Sequence, residues 1–229
     1  MLEANRRAAT LAGPTWIIAK DQTAAHGRRG RAWANPKGNF AGTLVLQPRE
    51  APETVALRSF VAALALFDAC VALTGRADAF SLKWPNDVLL HGGKLAGILL
   101  ASAGQGGRLD SLAIGIGVNL RDTPSASDLE STAVGPTSLQ TLGVAIEPDD
   151  FALELASAYA RRELEFTTYG FGPIREAWLA KAARLGEVIT ARTVREEYTG
   201  SFDGVDASGN LILRTSKGTQ AIAAADVYF

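Results

Sequence analysis

The sequence predicts an α+β fold: a mixed, mostly antiparallel sheet packed with helices, plus a small C-terminal SH3-like β-barrel. Three observations predict it. Two nearly continuous apolar runs, residues 94–103 and 109–118, are joined by a glycine-rich turn at 104–107. Tight glycine turns between buried runs read as neighbouring strands of an antiparallel or mixed sheet. Apolar residues recur at helical spacing over 55–73, 151–166 and 173–185. After Gly186 the composition shifts to short strand-like stretches (188–191, 198–205, 211–214, 220–223, 227–229), with turns at Asp206-Ala207-Ser208-Gly209 and Lys217-Gly218. These place a domain boundary there, giving domains 1–185 and 186–229.

Along the chain, residues 4–11 read as a short helix. Residues 16–19 form a short apolar strand between Pro14 and the polar Lys20-Asp21-Gln22. Residues 40–47 alternate as a strand that Pro48 ends. The apolar segment 55–73 carries Leu57, Val61, Leu64 and Cys70 at helical spacing and stops at Gly75. Arg58 and Asp68 interrupt it, so it reads as a buried helix and not a membrane span. Residues 81–84 and 87–90 are short strands around Pro85-Asn86, and His91-Gly92-Gly93 is a hairpin turn. Residues 121–136 are polar and read as a loop.

At 229 residues and 47% hydrophobic, the chain has the make-up of a folded protein with a substantial core. The net charge of −1 gives no global attraction to DNA or anionic lipid. One cysteine, Cys70, excludes an intrachain disulfide and a cysteine metal cluster, which fits a reducing cytoplasm. His26 and His91 are far apart in sequence, against a histidine zinc site. No signal-peptide core opens the chain.

Four clusters carry candidate chemistry. In His26-Gly27-Arg28-Arg29-Gly30-Arg31-Ala32-Trp33, glycines allow backbone N–H groups close to an anion, and arginines add forked donors. Trp33 adds a flat face. The cluster is either a loop closing over an anionic, ring-bearing ligand such as a nucleotide, or an exposed basic loop. Lys83-Trp84-Pro85-Asn86-Asp87 is a β-turn with a capping aspartate, or a turn presenting an ammonium, an amide and a carboxylate together. In Gly93-Lys94-Leu95-Ala96-Gly97-Ile98-Leu99, Lys94 either snorkels to water or is held for an anion. Gly97 implies close approach of a backbone or a ligand. The run is not a P-loop, because Leu95 follows the lysine and Val88 stands at the first glycine position. Gly115-Ile116-Gly117-Val118-Asn119 is a strand thinned for packing, or a partial dinucleotide fingerprint whose third glycine is replaced by Leu120. No Gly-x-Ser-x-Gly elbow or Cys–His pair points to covalent catalysis.

Taken in order, these clusters resemble the catalytic domain of biotin protein ligases, a class II synthetase-like fold. The match covers roughly residues 16–119, and the trailing β-module resembles that family's C-terminal domain. Pro136-Thr137-Ser138-Leu139 also looks like a family segment. The resemblance implies an ATP-dependent enzyme that makes biotinyl-5′-AMP with Mg²⁺, then biotinylates a lysine of a biotin carboxyl carrier protein such as that of acetyl-CoA carboxylase.

By the same resemblance, Lys94 bridges biotin's carboxylate and the α-phosphate, and Arg28 retains the adenylate. Arg29, Arg31 and Trp33 bind the nucleotide, with Trp33 against the adenine. Asn119 reads the adenine edge. Gln22, Gly97, Leu99 and Gly115 line the biotin site. Asn86 and Asp87 lie near the phosphate or the incoming lysine, with Asp87 a Mg²⁺ contact or a lysine orienter.

The chain departs from the family pattern in three ways. A Ser-Thr-Asn motif that covers biotin's ureido ring is expected just before Met1-Leu2-Glu3-Ala4 and is not seen. His26 and Ala25 stand where Arg and Gly are common. No N-terminal helix-turn-helix segment is present, so no DNA-binding role is expected; a homodimer is left open. Two other functions stay open: a lipoate or octanoate ligase or transferase on the related fold, and a non-transferring biotin or biotinyl-AMP-binding module.

Overall fold

The computed structural model describes residues 1–27, 30, 33, 36–106, 108–124 and 134–229. A six-stranded sheet in the order β1-β2-β6-β5-β4-β3 forms the first layer. Its strands are β1 (Thr15–Ile18), β2 (Phe40–Leu46), β3 (Phe80–Lys83), β4 (Asp87–Leu90), β5 (Gly93–Gln105) and β6 (Arg108–Val118). All five pairings are antiparallel. The β5–β6 pair is the expected buried hairpin. It runs to Gln105, two residues further than the apolar pattern suggests, because Gly104 lets the strands close: a Cβ there would lie 2.0 Å from the Arg108 carbonyl oxygen.

Strand alternation gives this sheet two different faces. Phe40, Leu44, Ile98, Ile114 and Ile116 point one way into the main core. That face is covered by α3 (Arg58–Thr74) and α4 (Pro148–Tyr169), which also pack on each other. The short α2 (Pro52–Ala56) leads into α3, and Gly75, at φ +70°, ends it. The stretch Pro52–Thr74 is long and apolar enough to cross a membrane by length and composition, but most of its most apolar window is buried inside the fold. Burial pushes the Cys70 thiol up to about 12, so it stays an unreactive core group. On the opposite face, α1 (Leu2–Arg7) packs Ala4 against Val45 and Ala113. Among the described residues, the rest of that face is open to a cavity.

A buried charge cluster ties α3 to α4. Arg58, 3% exposed, donates from Nε and Nη2 to Glu163 Oε1 at 2.9 and 2.7 Å, and from Nη2 to Glu50 Oε1 at 2.6 Å. Tyr159 donates its hydroxyl to Glu163 Oε2 at 3.1 Å. Burial, then the charge of Glu163, hold that hydroxyl well above its ordinary range, so it remains a neutral donor.

Helix α5 (Phe171–Leu179) starts earlier and ends earlier than the 173–185 expected. Phe171, Ile174 and Trp178 supply its inward face, and the first and last of these rings meet Phe60. Past Leu179 the backbone is captured by β3: Leu82 N–H donates to the Lys181 carbonyl and Ala183 N–H to the Leu82 carbonyl, both at 2.8 Å. Those bonds pull the chain out of helical geometry.

The C-terminal strands are β7 (Val188–Arg192), β8 (Glu197–Val205), β9 (Leu211–Thr215), β10 (Gly218–Ile222) and β11 (Asp226–Tyr228). They form a five-stranded antiparallel sheet in the order β10-β9-β8-β7-β11. No ladder joins β10 to β11, so the hydrogen bonds leave open what the sequence suggests as a barrel.

Candidate active site

Lys94 reaches the open face of the first sheet through an irregularity. In a regular strand, Lys94 would share a face with Ala96 and Ile98, which are buried beneath the helices. The β4–β5 register instead shifts: Val88 pairs with Ala96 but Leu89 pairs with Lys94, leaving Leu95 as an extra residue. This β-bulge turns Leu95 into the core, fully buried, and Lys94 outward beside Gly97. The Lys94 backbone is fixed on its other side, accepting from Thr137 N–H at 3.0 Å and donating to the Gly135 carbonyl at 2.7 Å. Its ammonium lies 2.8 Å from Asp87 Oδ1.

Asp87 ends the turn between β3 and β4. Lys83 approaches its other oxygen at 4.0 Å. The carboxylate therefore sits between two ammonium groups, with side-chain exposures of only 11% and 12% for Lys83 and Asp87. Asn86, expected near the phosphate, is turned to structure: its Nδ2 donates to the Ile98 carbonyl at 2.6 Å, and its own carbonyl accepts from Ile98 N–H at 2.9 Å. Trp84 anchors the turn from behind, donating its indole N–H to the Gly209 carbonyl of the C-terminal sheet at 3.1 Å.

Gly97 and Gly117 are direct cross-strand partners and make a flat patch on the open face. The Trp33 indole lies on it, with Lys94 Nζ 5.6 Å from the ring centre. A Cβ at Gly117 would fall 2.6 Å from Trp33 Nε1, and one at Gly97 would fall 3.2 Å from the ring. The Trp33 N–H is buried and has no hydrogen-bond partner among the described residues. Gly117→Ala should lift the indole off the sheet at a cost of about 1–2 kcal/mol. The expected result is an ATP KM raised by roughly tenfold and a smaller change for the acid substrate. Equal changes in both would remove the glycine patch from nucleotide binding.

These groups line one cavity of about 820 Å³ on the open face. Leu99, Gly115 and Ala19 give it apolar lining, Gln22 and Thr43 add polar groups, and Lys83, Asp87, Lys94 and all of β11 line it too. Gln22, Trp33, Asn86, Asp87, Lys94, Gly97, Leu99, Gly115 and Asn119 are thus brought together around one space. Asn119 is a correction in detail. It is 3% exposed, and its Nδ2 faces the Thr137 carbonyl at 3.0 Å and the Lys94 carbonyl at 3.4 Å. A base edge would have to be read through Oδ1 alone. Arg28, Arg29 and Arg31 lie outside the described residues.

Sequence reading gave no place at the site to Thr43 or to the strand at 226–228, and it offered Lys83 and Gly117 only within motifs. The alternation of Gly115 and Gly117 along β6 signals the platform. The sequence signals β11 as a strand, but nothing in it signals that this strand lines the cavity. The donor set does not fit a protein-held metal ion: no three His, Cys, Asp or Glu side chains gather among the described residues, and Asp87 is paired by lysine. Asp87, the expected Mg²⁺ contact or lysine orienter, faces the Lys94 ammonium with Oδ1 at 2.8 Å.

The sequence profile of the biotin/lipoate A/B protein ligase family matches residues 1–119, and that of the biotin protein ligase C-terminal domain matches residues 185–229. The biotin–[acetyl-CoA-carboxylase] ligase of Paracoccus denitrificans is 53% identical over 228 residues, covering 99% of this chain and 95% of that protein. The bifunctional ligase/repressor BirA of Bacillus subtilis is 30% identical over 214 residues, covering 93% of this chain and 65% of that protein. In fold, the chain resembles the biotin protein ligase of Aquifex aeolicus in complex with biotin and ATP, at a TM-score of 0.83 and 24% identity over 98% of this chain and 92% of that one. The chain, built around a cavity where a bulge-presented lysine meets a glycine platform, belongs to the biotin/lipoate A/B protein ligase family.

Proposed function

We propose that this protein is an ATP-dependent biotin protein ligase. It forms biotinyl-5′-AMP and then biotinylates a lysine of a biotin carboxyl carrier protein, that of acetyl-CoA carboxylase by likeness to the Paracoccus enzyme. The observation that carries the reading is Lys94, beside the Trp33 ring in a cavity that Leu99 and Gly115 also line, in a chain 53% identical to such a ligase along nearly its whole length.

In the first step a carboxylate oxygen of biotin bonds to the α-phosphorus of ATP. The bond to the β-phosphate oxygen breaks, and pyrophosphate leaves with the electron pair. Two anions must touch for this to happen. Their repulsion at contact amounts to about 4 kcal/mol at an effective dielectric near 20. Lys94 supplies opposing charge at the junction, and the Asp87 ion pair fixes its position. In the second step the acceptor amine, having lost one proton to water, bonds to the acyl carbon. AMP leaves with the electrons of the C–O bond, and the nitrogen sheds its second proton.

Gln22, Gly97, Leu99 and Gly115 are assigned to biotin, Trp33 and Asn119 to ATP, and Lys94 and Asp87 to the reacting centre. Arg28, Arg29 and Arg31 are assigned to the adenylate by sequence resemblance. Asn86 shapes the turn. Mg²⁺, where ATP brings it, is assigned to the phosphate oxygens. The division into a catalytic domain, 1–185, and an SH3-like domain, 186–229, belongs to the same proposal. So does a cytoplasmic location, with the biotin carboxyl carrier protein as the macromolecular partner and a homodimer left open.

Biotin-dependent exchange of pyrophosphate into ATP, followed by single-turnover transfer to a carrier domain, tests the function. Exchange driven by lipoate or octanoate but not by biotin would reassign the acid. Adenylate formation without transfer would leave a binding module.

A further inference from the structure

The turn that carries Asp87 is held by its own sheet and helix, and also by the C-terminal sheet. On the near side, Asn86 exchanges two hydrogen bonds with Ile98, and Ser59 of α3 donates to the Pro85 carbonyl at 3.3 Å. From the C-terminal sheet comes the Gly209 carbonyl. Trp84, 3% exposed, donates its indole N–H to that oxygen at 3.1 Å. Gly209 lies in the turn between β8 and β9, and this turn is itself fixed. Asp206 Oδ1 accepts from the backbone N–H groups of Ser208 and Asn210 at 2.8 and 2.9 Å, and Oδ2 accepts from Asn210 Nδ2 at 2.9 Å. Gly209, at φ +82°, also presses on the start of α3: a Cβ there would fall 3.0 Å from Leu57 Cδ2 and Phe60 Cε2. The Gly209 carbonyl is thus a fixed point against which Trp84 is set.

A shift of Trp84 reaches the reacting centre in two steps. Its neighbour Lys83 is the ladder partner of Asp87. Asp87 in turn holds the Lys94 ammonium at 2.8 Å. Displacing an aligned group by about 1 Å can cost up to about 10²-fold in rate. Resting on the ligase reading, we propose that Trp84 is a positioning residue for adenylation. Through it the β8–β9 turn of the C-terminal sheet sets the Asp87–Lys94 pair. The indole N–H is committed to Gly209, so it acts through Asp87 and not by binding substrate.

Trp84→Phe keeps a buried ring and removes the donor. Trp84 also lines the cavity, so the second variant is Asp206→Ala, which loosens the β8–β9 turn from outside the cavity. In biotin-dependent pyrophosphate exchange, kcat should fall about tenfold in Trp84→Phe and about threefold in Asp206→Ala, with the KM values for biotin and ATP within about twofold of wild type. Added to Asp87→Asn, neither change should lower kcat by more than about a further twofold, because the pair it positions is already broken. A merely structural role would multiply with Asp87→Asn instead, and that result would overturn the proposal. So would an unchanged kcat in both variants, which would leave the Asn86 and Ser59 bonds as sufficient anchors, or a raised KM without a fall in kcat. If Trp84→Phe does not fold, Asp206→Ala alone decides between these outcomes. Wild-type protein that shows no biotin-dependent exchange would sink the ligase reading itself, and this proposal with it.

Discussion

Lys94→Ala is expected to lower biotin-dependent pyrophosphate exchange by about 10²–10³-fold, the usual cost of removing one preorganised charge from a developing anionic transition state. Two effects add. The ammonium that neutralises the meeting of carboxylate and phosphate is gone. Asp87 is also left with Lys83 alone, at 4.0 Å, so a carboxylate now faces the incoming anions. Lys94→Arg should not restore the rate, because a planar fork cannot take the place of a compact ammonium held 2.8 Å from Asp87. Thermal unfolding should change little in either variant, since the side chain is about a third exposed. Exchange within a few-fold of wild type in Lys94→Ala would remove the lysine from the reacting centre.

The largest stability effect is expected at Arg58. Arg58→Met leaves Glu163 and Glu50 without their shared cation at the junction of α3 and α4, and it keeps the volume against Phe166. Breaking a buried pair from one side costs about 3–5 kcal/mol. Glu50 is partly exposed, which puts the expectation at the low end, about 3 kcal/mol, or a melting point lower by roughly 6–12 °C for a chain of this size. Adding Glu163→Leu should recover part of the loss, because the uncompensated carboxylate goes with it. A fall of under 2 °C in calorimetry would show the cluster to be energetically idle.

The same cluster sets an acid-side dependence. Burial pushes the Glu50 carboxyl up, but the Arg58 hydrogen bond, backbone hydrogen bonds and the Arg58 charge together outweigh it and hold the group below its ordinary 4.5. A depressed carboxyl stabilises the fold fully above its ordinary value and loses that contribution as pH falls through the folded value. Wild type should therefore lose stability below about pH 4.5 more steeply than Arg58→Met.

Much of this protein is legible in the chain because the signals are local. Gly104 and its neighbours mark the β5–β6 hairpin, Gly75 stops α3, and the alternating apolar residues of β6 assign its two faces. The motif residues are legible as a set, since loops and strand ends carry most of them. Their individual roles are less so. Asn86 and Asn119 look alike on paper as polar residues at turn and strand ends, yet both amides are committed to backbone carbonyls across the sheet. The end of α5 was misjudged for a related reason: residues beyond Leu179 keep helical spacing but are claimed by backbone pairing with β3.

The sequence by itself determined the α+β class, the family and the presence of a lysine, glycines and a tryptophan suited to an acid and a nucleotide. Periodicity, turn chemistry and side-chain type are properties of neighbouring residues, so they survive without a structure. Tertiary structure alone decided that Lys94 faces the cavity and that β11 lines it. A single extra residue in the β4–β5 ladder inverts which side chains point outward, and a strand more than 130 positions downstream of Lys94 lines the same cavity. Register and packing depend on contacts between distant segments, and no spacing along the chain encodes them.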